Sequence, residues 1–237
     1  MDFTCKRFLS GFMIFVFSCC MAKLHSDTEH DFQTWFNLTA TGHFDRESRD
    51  FGRFKYWLEG QERVGEDSSR FSQSLARIGL GYVVTANTSL WLGYAWIHTS
   101  EPFTTQPFNE NRIWEQLLWN KKIKRYNLLS RTRMEQRFLA NGTKTAYRIR
   151  QLVKIIRPLE SAPHYSFVSS DEVFWHKNNF IGKNGKGFDQ NRFFIGFGYQ
   201  FSQIFSTEIG YMNQYIRRFG VPNFFTNILS ANFFMNF

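Results

Sequence analysis

Cysteine is almost missing from this chain: the 237 residues hold three, Cys5, Cys19 and Cys20, all within the first 22. That stretch has the three-part form of a secretory signal peptide, with basic Lys6 and Arg7, an apolar run from Phe8 to Phe17, and a close at Cys20-Met21-Ala22. Cleavage after Ala22 leaves an exported chain, 23–237, with no thiol. A disulfide framework, a cysteine-held zinc and thiol catalysis are then excluded. A lipid anchor on Cys19 or Cys20 is the alternative, but Val16-Phe17-Ser18-Cys19 fits the attachment box only in part. Long apolar runs are also lacking. Beyond the signal none approaches the ~18 residues of a spanning helix, so helical membrane crossing is excluded. Basic blocks are missing as well. The net charge is +9, or +8 without Lys6, Arg7 and Asp2, yet no run of five Lys or Arg occurs. With export, this argues against a nucleic-acid partner.

Aromatic residues, in contrast, are plentiful: 29 phenylalanines in a chain that is 19% aromatic and 21% charged. Lipid is the economical host for so many rings. The arrangement that serves both rings and charges is a β-strand with one apolar and one polar face, and period-two alternation recurs in segments of about ten residues. In 192–201, Phe193, Ile195, Phe197, Tyr199 and Phe201 oppose Arg192, Gly196, Gly198 and Gln200. In 205–215, Phe205, Ile209, Tyr211 and Tyr215 oppose Ser206, Glu208, Gly210 and Gln214. In 225–237, Leu229, Ala231, Phe233, Met235 and Phe237 oppose Thr226, Ser230, Asn232 and Asn236.

The same rule predicts strands near 32–41, 51–63, 70–84, 88–99, 111–121, 124–138, 144–157 and 164–177. The fold class is therefore all-β, a single transmembrane antiparallel barrel of about 10–12 strands filling 23–237. An antiparallel ring closes most simply with an even number, so the expectation is ten or twelve strands. The segment 32–41 is the odd one, either a strand with an unseen partner or an arm inside the barrel. Short turns fall at 85–88, 158–163 and 202–204, and longer loops at 63–69, 100–110, 179–188 and 218–224. This matches periplasmic turns, outer loops and two periplasmic ends. Glycines within strands (Gly79, Gly81, Gly93, Gly196, Gly198, Gly210) point to local curvature, or to room for large side chains.

Charge collects on the face opposite the apolar one. Arg131, Arg133, Glu135 and Arg137 share a phase; so do Arg148, Arg150 and Lys154, and so do Lys55, Glu59, Gln61 and Arg63. With Arg77, Glu172, Arg192 and Glu208 they make a lumen richer in arginine than in carboxylate. One reading is a ladder of Arg–Glu pairs filling a closed structural or interaction barrel, because buried charges persist when paired. The other is a narrow pore whose arginines attract a small anionic or polar solute. A membrane hydrolase is a third reading. Its candidates are Ser170 with His176, three inward steps apart, and Glu172 with His176 on one face, and no nucleophile stands beside either. No catalytic residue, metal ligand or cofactor is assigned. A soluble lipocalin-like barrel needs the opposite phase, apolar inside and charged outside.

Aromatics near strand ends (Trp35, Tyr82, Trp96, Trp119, Tyr126, Trp175, Tyr199, Tyr215) fit interface girdles at headgroup level. The terminal Phe237, in phase with Met235 and Phe233, resembles the signal by which bacterial barrels are recognised for insertion. The implied partners are outer-membrane lipid and the barrel-insertion machinery of a Gram-negative bacterium.

Several ordered motifs carry a family resemblance: Asp31-Phe32-Gln33-Thr34-Trp35, Glu59-Gly60-Gln61-Glu62-Arg63, Arg77-Ile78-Gly79-Leu80-Gly81-Tyr82 and Leu92-Gly93-Tyr94-Ala95-Trp96. Arg131-Thr132-Arg133-Met134-Glu135-Gln136-Arg137, Asp171-Glu172-Val173-Phe174, Asn191-Arg192 and Ile209-Gly210-Tyr211-Met212-Asn213-Gln214 extend it over nearly all of 23–237. The set resembles the bacterial family called domain of unknown function 2490. That resemblance implies an outer-membrane barrel without an assigned activity, and it carries no catalytic residue to these positions.

Overall fold

The computed structural model describes residues 28–45, 47, 51–140, 142, 144–180 and 185–237, so the signal segment 1–22 lies outside the described residues. Eleven strands follow in chain order: β1 (Thr28–His43), β2 (Phe54–Gly65), β3 (Arg70–Thr85), β4 (Thr88–Thr99), β5 (Phe108–Ile123), β6 (Tyr126–Leu139), β7 (Ala146–Pro158), β8 (Tyr165–His176), β9 (Gly187–Gln200), β10 (Phe205–Ile216) and β11 (Asn223–Asn236). Each strand pairs antiparallel with its chain neighbour, and β1 closes the barrel against β11.

That last pairing is parallel, running in unbroken register from Thr28↔Asn223 to Thr41↔Asn236. All eleven segments read from the alternation are strands, within the expected 10–12, and only the preference for an even number fails, for a geometric reason. Strand direction alternates along the chain, so an odd ring must place two like-directed strands side by side, and only the first and last can meet that way without a crossover. The segment 32–41 is thus a wall strand with two partners. Both ends on one side is also overturned, because β1 starts at the rim opposite the one where β11 ends.

The connections 86–87, 124–125, 159–164 and 201–204 sit at the rim where β11 ends, as expected for short turns. The longer connections after β4, β6, β8 and β10 leave from the other. Two connections depart from that division. The connection from β1 to β2 is long although it leaves from the short-turn rim, and β2 runs on to Gly65, shrinking 63–69 to 66–69. The tight turn needs three non-glycine residues at positive φ, Glu66 (53°), Asp67 (55°) and Ser68 (61°), a conformation costing roughly 1–2 kcal/mol each. Asp31 steadies it by accepting the Asp67 N–H at 3.0 Å, while the Ser68 N–H donates to Phe32 O at 3.1 Å.

The two faces separate as the alternation predicts. On β9, Phe193, Ile195 and Phe197 are exposed outside, whereas Phe194, Gly196 and Gly198 are buried. On β4, Leu90, Leu92, Tyr94 and Trp96 face out against buried Trp91, Ala95 and Ile97. The outer face is not uniformly apolar. Glu115 stands exposed in mid-β5 between Leu92 and Met134, and Asp171 faces outward on β8, covered by Asn191 at 2.6 Å.

Trp35 departs from the girdle expectation: it is 2% exposed and points into the lumen, because its phase on β1 matches Gln33 and Asn37. The other seven girdle residues lie on the outer phase of their strands near one rim or the other. Rings also explain several glycines better than curvature does. A Cβ on Gly93 would meet Trp114 at 2.3 Å, one on Gly79 would meet it at 2.5 Å, and one on Gly81 would meet Trp91 at 2.6 Å. The inner cluster of Trp57, Trp91 and Trp114 needs that space, with Trp57 edge-on to Trp91 at 5.4 Å.

Candidate functional site

Inside the barrel, among the described residues, eleven cationic side chains (Lys55, Arg63, Arg77, Arg112, Arg131, Arg133, Arg137, Arg148, Arg150, Lys154, Arg192) meet seven carboxylates (Asp31, Glu59, Glu110, Glu135, Glu172, Asp189, Glu208). Antiparallel register makes this possible, since inward residues of adjacent strands face each other in rows. Thus Glu135 lies beside Arg148, and Glu172 beside Arg192.

Most of the charges are tied into one network. Glu110 receives two forks, from Arg112 (2.5 and 2.9 Å) and from Arg137 (2.5 and 2.9 Å). Glu135 accepts from Arg148 at 2.7 Å and Arg150 at 2.8 Å, with Arg112 at 4.0 Å. Arg150 continues to Glu172 at 2.9 Å, which Arg131 also reaches at 2.8 Å. Arg148 reaches Asp189 at 3.2 Å, and Asp189 holds His176 Nε2 at 3.3 Å. Apart from these, Glu59 binds Arg77 (2.5 Å) and the Trp57 indole N–H (2.9 Å), and Lys154 binds Glu208 (2.5 Å). Forked guanidinium–carboxylate bonds are about twice as strong as neutral ones, which lets charge replace an apolar core here.

Three arginines stand outside the pairing. Among the described residues, no carboxylate lies within 4.0 Å of Arg63, Arg133 or Arg192. Arg133 is fully buried over Trp114 (4.8 Å) and donates to Gln116 Oε1 at 2.6 and 2.9 Å. Arg63 lies over Trp35 at 3.8 Å and Arg192 over the same ring at 4.9 Å. A cation over an indole gains about 0.5–2 kcal/mol but keeps its charge.

This packing leaves an axial cavity of about 1090 Å³. Its walls include Glu29, Glu66 and Arg218 at the long-loop rim, and Thr41, Asn120 and Asn236 towards the other. The tryptophan cluster and Arg133 pack against the inner face of β2–β6, and the remaining space is lined by residues from all eleven strands.

Every charged residue expected inside is inside: Glu59, Arg63, Arg77, Arg131, Arg133, Glu135, Arg137, Arg148, Arg150, Lys154, Glu172, Arg192 and Glu208. Asp171, next to Glu172 in sequence, takes the opposite phase and faces outward with Asn191. Sequence reasoning passes over Glu110, Arg112 and Asp189. In β5 the outer positions Asn109, Asn111 and Glu115 are polar too, so the alternation there is blurred. Asp189 is the extra residue of a bulge opposite Phe174/Trp175, where the phase breaks. His176 is engaged by Asp189 and Arg137, and Glu172 by Arg131 and Arg150, so neither forms the pair considered for catalysis. At the chain end, Phe233 stacks on Phe205, and the Phe237 N–H donates to Thr41 O at 2.8 Å.

Residues 32–224 match the model of one family, described as a protein of unknown function (DUF2490). An uncharacterised protein of Methylorubrum extorquens is similar, with 29% identity over 220 residues that cover 91% of this chain and 92% of that protein.

Proposed function

The chain belongs to the DUF2490 family, proteins of unknown function, and we propose from its lumen that it is an outer-membrane barrel passing small anionic solutes. The observation that carries this reading is the axial cavity lined by an excess of cations over carboxylates. Rings of Arg and Lys select anions by lowering their electrostatic barrier, and walls of low dielectric strengthen the effect.

Membrane placement draws support from the outer face. Exposed Ile78, Leu92, Ile149, Ile195 and Leu229 would stand in water on a soluble barrel, an area of apolar surface that monomeric soluble proteins rarely carry. The cleavable segment 1–22 and the terminal Phe233, Met235 and Phe237 agree with export and delivery to insertion machinery in a Gram-negative outer membrane. The odd strand count then puts the two described chain ends on opposite sides of that membrane.

A closed structural barrel is the second reading, favoured by the packed tryptophan cluster and the extent of Arg–Glu pairing. Planar-bilayer recording separates the two. Under a potassium chloride gradient the conduit predicts a current whose reversal potential favours chloride. Arg131→Gln/Lys154→Gln removes two cavity cations and moves that potential towards potassium. Silence from a folded, inserted protein selects the closed barrel.

A further inference from the structure

We propose that Arg63 and Arg192 form a binding site for an oxyanion, a phosphate or carboxylate group, beside Trp35 in the axial cavity. The site rests on the reading of the lumen as an anion path, and it names where along that path an anion is held.

Both arginines and Trp35 line the cavity. Their guanidinium carbons lie 3.8 and 4.9 Å from one ring centroid, which bounds their separation by the total of those distances. At that separation both guanidiniums lie within reach of an anion in the cavity beside Trp35, each able to offer parallel N–H donors to its oxygens. The lumen carboxylates are already engaged elsewhere: Glu59, Glu110, Glu135, Glu172, Asp189 and Glu208 each bind another cation, and Asp31 accepts from Gln33 and the Asp67 N–H. Arg63 has instead a neutral partner, donating from Nη2 to Gln61 Oε1 at 2.7 Å, and its Nε is buried with no acceptor. Arg192 likewise faces a neutral amide, that of Gln214, whose oxygen accepts from its Nε and Nη2 at 2.9 and 3.1 Å when the amide is turned end for end. Amides satisfy hydrogen bonds but cancel no charge, and two like charges facing one cavity are relieved by a counter-ion.

The site is also held in place. Trp35 donates its indole N–H to Gln33 Oε1 at 2.8 Å, and Gln33 donates to Asp31 Oδ2 at 2.7 Å, fixing the ring against which both guanidiniums lie. Preorganised planar forks favour an anion with several oxygens over chloride. Arg133 makes the contrast: it also lacks a carboxylate, but it is wholly buried against Trp114 and does not line the cavity.

The test is calorimetric titration of inorganic phosphate, and separately of acetate, into the folded full-length mature barrel in detergent, run beside chloride-current recording in bilayers. Saturable phosphate binding is expected, and phosphate should reduce the chloride current. Arg63→Gln/Arg192→Gln should weaken binding at least about tenfold, equivalent to about 1.4 kcal/mol. Arg125→Gln, at the rim, should leave it unchanged. If the double variant does not fold, Arg63→Lys keeps the charge, loses the fork and should still weaken phosphate binding. Tighter acetate than phosphate binding would assign a carboxylate ligand, and the reverse a phosphate. Binding without any chloride current would leave the site standing and overturn the conduit. Chloride current with no saturable binding of either anion, or affinity unchanged in the arginine variants, would overturn the site.

Discussion

Glu135 is 2% exposed and holds two guanidiniums at hydrogen-bond distance with a third at 4.0 Å. Its removal strands buried cations, and breaking a buried pair from one side costs about 3–5 kcal/mol. Urea unfolding of Glu135→Ala in vesicles should show a loss of that size; a change under about 0.5 kcal/mol, the scale of ordinary surface substitutions, would mean the network carries no stability. The glycines divide in the same way. Gly93→Ala drives a Cβ to 2.2 Å from the Ile78 carbonyl oxygen, a clash with backbone that cannot move aside, and should cost about 1–3 kcal/mol. Gly60, with nothing within 4 Å of its would-be Cβ, should accept alanine without loss in the same assay. Outside, Glu115 is a carboxylate among exposed Ile113, Leu117, Leu92 and Met134. Against lipid, Glu115→Leu should stabilise the protein by about 1–2 kcal/mol, somewhat less than the penalty of a basic residue at mid-bilayer. Against water it should gain nothing.

At the scale of the strand, β1 decides how the barrel closes. It has no turn-linked partner on its β11 side, so its pairing rests on register alone. The unbroken match of Thr28–Thr41 with Asn223–Asn236 supplies it. Because 23–237 has no cysteine, Thr34→Cys/Leu229→Cys places a single thiol pair across this seam, on paired outer positions. Oxidation should give an internal cross-link with altered migration on non-reducing gels; an arm folded inside the lumen would give none. Strand positions were readable in the sequence because one face of each strand is apolar, and β4 begins and ends where the alternation says. The closure was not readable. Period two tells which way a side chain points, but it carries no information about which strand lies beside β1. Trp35 was misplaced for a related reason, since a tryptophan near a strand end satisfies the girdle pattern whichever face it occupies.

Over the whole molecule, the inner charges were legible as a set and illegible as a network. Arg131, Arg133, Glu135 and Arg137 announce a charged face by spacing alone. That Arg150 links Glu135 to Glu172 follows from the register of consecutive strands, and that Arg63 and Arg192 share Trp35 follows from reach across the lumen between strands distant in sequence. Glu110 and Asp189 stayed hidden where the alternation weakens, at a strand polar on both faces and at a bulge. The proposed function depends first on the outer wall facing lipid. Single cysteines at the outer positions Leu92, Ile149 and Ile195, and at the inner positions Asn37, Gln61 and Asn232, can each carry a fluorophore in vesicles containing lipid brominated at mid-chain. Quenching at the three outer positions and none at the three inner ones is the predicted result; equal quenching on both faces, or none on either, would contradict a barrel that wears its apolar face against the membrane.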